Sequence, residues 1–168
     1  MEQTSAPAAG TATGGEHGRI NGFFHAGVTV RDMEESLRFY RDTLGLEVAW
    51  EGASSGDSAR RVWGIDPEHV RVVFLRIAGS DALIELFEFQ GIERHSASAR
   101  PCDYGAGHFC LYCDDAEAVH RRLVAHGFRA RSEDVVTVAA GPHAGAKVFY
   151  AIDPDGYHVE LYQRAPRA

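Results

Sequence analysis

An internal repeat constrains the fold of this chain more than any other feature of its sequence. In each half, a histidine in an apolar run is followed seven residues later by an aspartate, and twelve or thirteen residues after that by a glycine. The two sets are His25, Asp32 and Gly45, and His108, Asp115 and Gly127. A repeat of this kind predicts two copies of one supersecondary unit that bury a shared core.

Each copy has the pattern of a strand, a capped helix and further strands. Asp32 with Glu35 three residues later forms a capping-box pattern, and Gly45 is a typical helix stop. In the first half we expect strands at 23–30, 46–50, 70–77 and 82–89, a helix at 33–44 and a loop at 51–69. In the second half we expect strands at 107–113, 128–130, 135–138, 147–152 and 157–162, and a helix at 116–125.

These elements predict an α+β protein made of two βαβββ modules. The modules comprise residues 21–92 and 106–164, and a polar crossover linker at 93–105 joins them. Residues 1–20 are small and polar, so we expect a disordered tail without a secretory signal. Residues 165–168 form a short C-terminal tail.

Strand alternation gives each module one inward histidine and one inward glutamate. The neighbours of His25, namely Phe24 and Ala26, belong to the apolar face that the helix layer covers, so His25 points the other way. The same parity turns Glu85, His108 and Glu160 away from the helices. A lone histidine or glutamate in a strand has simpler explanations, but a pair that recurs at equivalent places in both halves favours a ligand set.

Two carboxylates in an apolar concavity repel one another and are costly to bury, so both need a cation. Two imidazoles and two carboxylates suit a six-coordinate first-row ion with two positions left for water or substrate. We therefore predict one divalent ion (Ni, Co, Zn, Mn or Fe) bound by His25, Glu85, His108 and Glu160.

The expected substrate pocket is largely aromatic. By parity, its lining comprises Thr29, Phe87, Phe89, Tyr112, His158 and Tyr162. Lys147, the only lysine, ends a glycine-containing loop at 141–147, which is either a lid with a contact for a substrate anion or a plain hairpin connection.

Composition excludes several partners. The net charge of −7 and the pI near 5.7 argue against nucleic acid and anionic membranes. No apolar run approaches the roughly 20 residues of a membrane helix. Cys110 and Cys113 form a CxxC, but their side chains point to opposite faces of one strand, so with Cys102 we expect buried thiols in a reducing cytoplasm.

Residues 23–163 resemble the vicinal oxygen chelate superfamily, which groups glyoxalases, epimerases and extradiol dioxygenases. The resemblance rests on the order of FFHAGVTVRDMEESLRFYRDTLGLEV, ALIELFEF, GAGHFCLYCDD and GPHAGAKVFYAIDPDGYHVELY. It implies an open, cup-shaped mixed sheet around one metal, and substrates that chelate the metal through two adjacent oxygens.

Within that superfamily, glyoxalase I-like isomerases carry His, Glu, His and Glu at these four positions. Extradiol dioxygenases use two histidines and one glutamate, here His25, His108 and Glu160, which would make Glu85 a bystander. Antibiotic-binding relatives lack the ligands, and methylmalonyl-CoA epimerases carry an amide at the Glu85 position. The arginine and asparagine that hold glutathione in glyoxalase I are absent from HAGVT and ELFEF.

We therefore expect a cytoplasmic, glyoxalase-like metalloenzyme that does not depend on glutathione. As an isomerase, epimerase or lyase, it would move a proton alpha to a carbonyl of a small molecule, with Glu85 or Glu160 as the base. The alternatives are a non-haem Fe(II) dioxygenase acting on an aromatic substrate, and a small-molecule-binding or self-resistance protein. We expect a homodimer with sites near its interface.

Overall fold

A computed structural model describes residues 18–54, 56–97 and 99–166. Most of the expected N-terminal tail therefore lies outside the described residues, as does the end of the C-terminal tail. None of the helices in these ranges is long and apolar enough to span a membrane.

The first module forms a four-stranded sheet. Its elements are β1 (His25–Thr29), α1 (Met33–Leu37), a π-helical continuation (Arg38–Thr43), β2 (Glu47–Ser54), α2 (Asp57–Trp63), β3 (His69–Arg76) and β4 (Leu83–Gln90). The strand order is β1-β4-β3-β2, with β1 parallel to β4 and the remaining pairs antiparallel.

The second module repeats this plan, but two short strands follow its helix. Its elements are β5 (His108–Tyr112), α3 (Ala116–Ala125), β6 (Arg129–Ala130), β7 (Val136–Thr137), β8 (Lys147–Ile152) and β9 (His158–Gln163). The order is β5-β9-β8-β6, β7 also pairs with β8, and β5 is parallel to β9. The predicted α+β class and open sheet arrangement are confirmed.

The helix starts and stops predicted from the repeat are also present. The Asp32 side chain accepts from the amide of Glu35 at 3.0 Å, and the Asp115 side chain accepts from the amide of Ala118 at 2.9 Å. Gly45 and Gly127 follow the helices with φ of 82° and 85°, a left-handed conformation that favours glycine.

One apolar core joins the two modules. It contains side chains from both sheets and both capped helices, among them Val28, Leu37, Leu86, Leu111, Leu123 and Leu161. Among the described strands no backbone ladder joins the two sheets, since β1 and β5 each form the edge of their own sheet. The modules are therefore held together by side-chain packing rather than by a continuous sheet.

A buried polar link crosses this core. The Tyr40 hydroxyl donates to Oδ2 of Asp153 at 2.9 Å, and Oδ1 of Asp153 accepts from the amides of Asp155 and Tyr157 at 2.9 and 2.7 Å. Burial raises the pKa of Tyr40 and of Asp153. Tyr40 belongs to the first module and Asp153 to the β8–β9 turn of the second, so this link fixes the modules relative to each other.

Two local features differ from the sequence prediction. Part of the loop expected at 51–69 is the helix α2, whose Trp63 packs edge-on against Phe87 and Phe89 with ring centroids 5.8 and 5.1 Å away. This aromatic contact stabilises a short helix that its Gly- and Ser-rich sequence does not predict. The expected single helix at 33–44 changes from α to π geometry at Arg38.

The expectation of buried cysteines is wrong. Cys102 and Cys110 are exposed, and Cys113 is half-buried. Cys110 lies on the open face of its sheet, the face opposite the helices, whereas Cys102 belongs to the crossover.

Candidate metal centre

In the first module, His25 and Glu85 are in direct contact. They lie on the adjacent parallel strands β1 and β4, and Nε2 of His25 is 2.8 Å from Oε2 of Glu85. Glu85 is buried, with 8% of its surface exposed, and this burial raises its pKa while the charge of His25 opposes the rise. A buried carboxylate whose neighbour is an imidazole is an arrangement that a cation would stabilise.

Aromatic rings surround this pair. The His25 ring has Phe24 and Phe74 at centroid distances of 4.8 and 5.6 Å, and Trp50 lies 6.0 Å from Phe74. The Trp50 indole lies over Gly52, where an added Cβ would approach it to 2.5 Å. Trp50 is half-exposed, so an apolar surface remains open beside the pair.

The second module places His108 and Glu160 in the same way. Nε2 of His108 is 3.1 Å from Oε2 of Glu160, on the parallel strands β5 and β9. The Tyr150 hydroxyl lies 3.4 Å from the same imidazole nitrogen. Partial burial and the negative charge of Glu160 raise the pKa of Cys110 to about 12, so this thiol stays protonated at neutral pH.

The two pairs do not form one site within the chain. Across residues 18–54, 56–97 and 99–166, no group of three or more His, Cys, Asp and Glu side chains is placed to hold a metal ion. Within the described residues the four predicted ligands are therefore placed as two separate pairs, and their common metal site stays a prediction. The reason is topological, because each pair belongs to its own sheet and the sheets meet through the core.

The predicted pocket residues divide between the two open faces. Phe87 packs over Gly27 and under Trp63, and Phe89 is buried beside it. Tyr112 and Tyr162 lie together with centroids 5.8 Å apart. Thr29 is exposed at the end of β1.

The remaining two predicted residues differ in their placement, since His158 shares the face of Glu160 by alternation and Lys147 does not. His158 is 6% exposed, and its Nε2 has no hydrogen-bond partner among the described residues. Lys147 donates to Oε1 of Glu117 at 2.6 Å. Because alternation places Lys147 on the helix side of β8, the structure pairs it with α3 rather than with the open face.

The donor chemistry of the four predicted ligands fits a divalent ion. Adjacent ligands of an octahedral ion with bonds near 2.1 Å lie about 3.0 Å apart. The separations of 2.8 and 3.1 Å in the two pairs match that spacing. Each His–Glu pair could supply two adjacent ligands of the ion. A set of four ligands therefore needs one pair from the first module and one from the second.

Several residues around the pairs were missed in the sequence. Trp50, Phe74 and Tyr150 lie on the open faces, and Nδ1 of His143 lies 3.0 Å from the Tyr162 hydroxyl. Alternation within 70–77 and 147–152 would have identified Phe74 and Tyr150. The bulge between Val48 and Trp50 hides the parity of Trp50, and His143 lies in a loop without any periodicity.

Comparison with known proteins assigns the family. The model of the Glyoxalase/Bleomycin resistance protein/Dioxygenase superfamily matches residues 22–161. The chain belongs to this superfamily. Its members are usually dependent on a divalent metal, act on small molecules and commonly form dimers.

The relatives of this chain include enzymes. A 2-epi-5-epi-valiolone epimerase from an Actinomyces species is 29% identical over 141 residues, which cover 82% of this chain and 76% of that protein. A probable chloroplastic lactoylglutathione lyase of Arabidopsis thaliana is 29% identical over 146 residues, 84% of this chain but only 35% of that protein. These relatives support an enzymatic role and leave the reaction class open.

The fold itself has a close match among solved structures. The crystal structure of a glyoxalase family protein from Bacillus cereus superposes with a TM-score of 0.75. It is 18% identical, and the match covers 90% of this chain and 99% of that one. At this identity the likeness concerns the fold alone.

Proposed function

We propose that this protein is a divalent-metal-dependent isomerase or epimerase that moves a proton alpha to a carbonyl of a small molecule. The observation that carries the proposal is the recurrence of a contacting His–Glu pair at the same strand positions of both modules, at 2.8 and 3.1 Å. A lone pair would be an ordinary ion pair, whereas a repeated one on two open faces matches a divided ligand set.

We further propose that one complete site needs two protomers. His25 and Glu85 of one protomer would face His108 and Glu160 of a second copy, so that a dimer holds two sites. The incomplete pairs within one chain and the uncovered aromatic surface around Trp50 support this assembly. The homodimer expected from the sequence thereby acquires a specific role.

A bound divalent ion would polarise the substrate carbonyl and stabilise negative charge on its oxygen. The chain supplies the proton transfer: the carboxylate of Glu85 or Glu160 removes the proton alpha to the carbonyl and returns it to the carbon. The Tyr150 hydroxyl, 3.4 Å from Nε2 of His108, would lie beside the bound substrate. In the proposed dimer, the aromatic side chains around His25 would be covered by the partner and would then keep water away from the reacting carbon.

The contact of Glu85 with His25 favours this reaction over the dioxygenase alternative. An extradiol-type site would use His25, His108 and Glu160 and leave Glu85 as a bystander. Glu85 is instead buried against the ring of His25. The missing arginine and asparagine of the glutathione pattern support a substrate without glutathione.

Metal analysis of the purified protein tests the metal site. We expect about one divalent first-row ion per chain in wild type and its loss in Glu85→Ala. Glu88→Ala is the matched control, because Glu88 lies three residues further along the same strand on the opposite face. Failure of wild type to bind any such ion after reconstitution would contradict the proposal and favour a binding protein.

Solvent deuterium tests the chemistry separately. Incubated in D₂O with α-hydroxy carbonyl compounds or epimerisable acyl compounds, the loaded enzyme should introduce deuterium at the carbon alpha to the carbonyl. Oxygen consumption with Fe(II), without such exchange, would instead select the dioxygenase reaction.

A further inference from the structure

A cavity of about 800 Å³ lies between the modules, beneath the crossover. Its walls are the end of β1, the crossover segments 94–97 and 104–107 with Ala99, and residues 154–158 at the start of β9. This volume falls in the range of sites for small molecules. None of His25, Glu85, His108 and Glu160 lines it. We call it the seam cavity.

The charge of the seam cavity is opposite to that of the whole chain. The protein has 24 acidic and 17 basic residues. The basic residues that line the cavity, namely Arg31, Arg94, His95 and His158, nevertheless outnumber its one carboxylate, Asp155. The Arg31 amide donates to Asp155 at 2.8 Å and its Nε lies 3.7 Å from that carboxylate, so Asp155 balances Arg31.

Arg94 is not balanced in this way. Its Nη1 donates to the carbonyl oxygens of Val30 and Arg31 at 3.2 and 3.3 Å, which fixes the crossover against the end of β1. Within the described part of the chain, Arg94 forms no ion pair with a carboxylate. Its guanidinium is therefore held at the cavity wall by neutral partners.

His158 adds a second polar group, on the wall formed by residues 154–158. Only 6% of its surface is exposed, and its Nε2 has no hydrogen-bond partner within the described residues. An unsatisfied buried nitrogen is costly, and a ligand oxygen would satisfy it. Val28, Ala106 and Pro154 add apolar surface to the cavity lining.

We propose that the seam cavity is a binding site for a small organic anion, in which Arg94 pairs with a carboxylate or phosphate group and the apolar wall holds the carbon body. A guanidinium fixed by backbone contacts pays little conformational entropy on binding such a group. The crossover, which the sequence indicates only as a linker, is thereby part of a binding site. The proposal does not depend on the metal chemistry of the His–Glu pairs.

Calorimetric titration of the intact protein with benzoate and with phenyl phosphate tests this site. Benzyl alcohol is the neutral probe of similar size. We expect both anions to bind, benzyl alcohol to bind more weakly, and Arg94→Gln to raise the Kd of the anions by about tenfold or more. Arg76→Gln removes the same charge from β3, outside the cavity, and should leave the Kd unchanged.

Two further variants control for a local disturbance of the crossover by Arg94→Gln. Ala106→Phe fills the cavity without changing its charge, and should also abolish binding while the protein keeps its circular dichroism spectrum. Amide NMR should show anion-dependent shifts at Gly105 and Gly107, which line the cavity. His108→Ala, which alters a His–Glu pair, should leave anion binding intact.

Three results would overturn the proposal. These are equal binding by benzyl alcohol, an unchanged Kd in both Arg94→Gln and Ala106→Phe, and loss of binding in His108→Ala alone. The last result would assign the anion to the His–Glu face and would leave the proposed metal chemistry standing.

Discussion

The two modules place the same His–Glu pair at the same register but surround it with different chemistry. Across the strands, the neighbours of the pair in the first module are Gly27, Leu83, Phe74 and Phe87, and in the second they are Cys110, His158, Tyr150 and Tyr162. An apolar or absent side chain in one module thus corresponds to a thiol, an imidazole or a hydroxyl in the other. The pairs also differ in exposure, since the Glu85 side chain is 10% exposed and that of Glu160 is 20% exposed.

This difference indicates a division of labour. What both modules keep, the contacting imidazole and carboxylate, is what an ion requires. What differs between them would contact the substrate. In the proposed dimer, a substrate would therefore lie between an apolar wall from one protomer and a hydrogen-bonding wall from the other.

The largest expected effect separates the two carboxylates. Because Glu160 is the more exposed, we expect it to reach the substrate as the base, and Glu160→Gln to lower kcat by about 10²–10⁴ while metal content stays near wild type. Glu85→Gln should mainly lower metal content. Steady-state kinetics with elemental analysis of both variants checks this, with Glu88→Gln as control. A larger loss of kcat in metal-loaded Glu85→Gln would assign the base to the first module.

The link between the modules is expected to matter for stability rather than for chemistry. Tyr40→Phe leaves the buried Asp153 carboxylate without one of its donors, and should lower the free energy of unfolding by about 1–3 kcal/mol. Denaturant unfolding checks this value, and metal content at a temperature well below the transition should be unchanged. A free energy of unfolding equal to that of wild type would show that the Tyr40 hydroxyl does not stabilise the contact between the modules.

The same variant has a pH signature. Burial raises the pKa of Asp153 above 3.8, so the folded state retains a proton that the unfolded chain has released. The free energy of unfolding therefore falls as pH rises through that interval. The hydrogen bond from Tyr40 lowers the pKa of Asp153. In Tyr40→Phe the decrease in the free energy of unfolding should therefore extend to higher pH. Asp153→Asn should remove this contribution altogether.

Exchanging the equivalent rings of the two modules tests the division of labour. Tyr150→Phe removes the hydroxyl near His108, and we expect a decrease of about fivefold in kcat/KM. Phe74→Tyr adds a hydroxyl on the apolar wall and should raise KM by a similar factor without affecting metal content. Equal and negligible effects of both substitutions would mean that the walls do not differ in their contact with substrate.

The smallest effect is expected at Lys147. Its exposed ion pair with Glu117 contributes under about 1 kcal/mol, and Lys147→Met should change neither KM nor kcat. A large increase in KM would restore the role of Lys147 as an anion contact. Glu117→Gln, which breaks the same pair from the other side, is the matched control.

The sequence predicted much of the fold because local signals agree with the repeat. The caps at Asp32 and Asp115, the stops at Gly45 and Gly127 and the alternation in most strands each have a short-range cause. The helix α2 was missed because its stability depends on Trp63 packing on Phe87 and Phe89, a tertiary contact that local propensity does not contain.

For the candidate site, alternation correctly placed each histidine beside the glutamate of its own module, but not the two pairs relative to each other. How one sheet meets the other is decided by core packing and by the Tyr40–Asp153 bond, which leave no periodic trace. The seam cavity is likewise invisible in the sequence, because its walls come from three segments that are far apart along the chain.

Mixing two inactive variants tests the shared site most directly. One variant carries His25→Ala and Glu85→Ala, the other His108→Ala and Glu160→Ala, and each alone should bind no metal at the site. After the two are unfolded together and refolded, random pairing of protomers should restore about a quarter of the wild-type metal content and activity, because half of the dimers are mixed and each has one intact site. Full metal binding by either variant alone, or no recovery in a mixture that contains mixed dimers, would contradict the account.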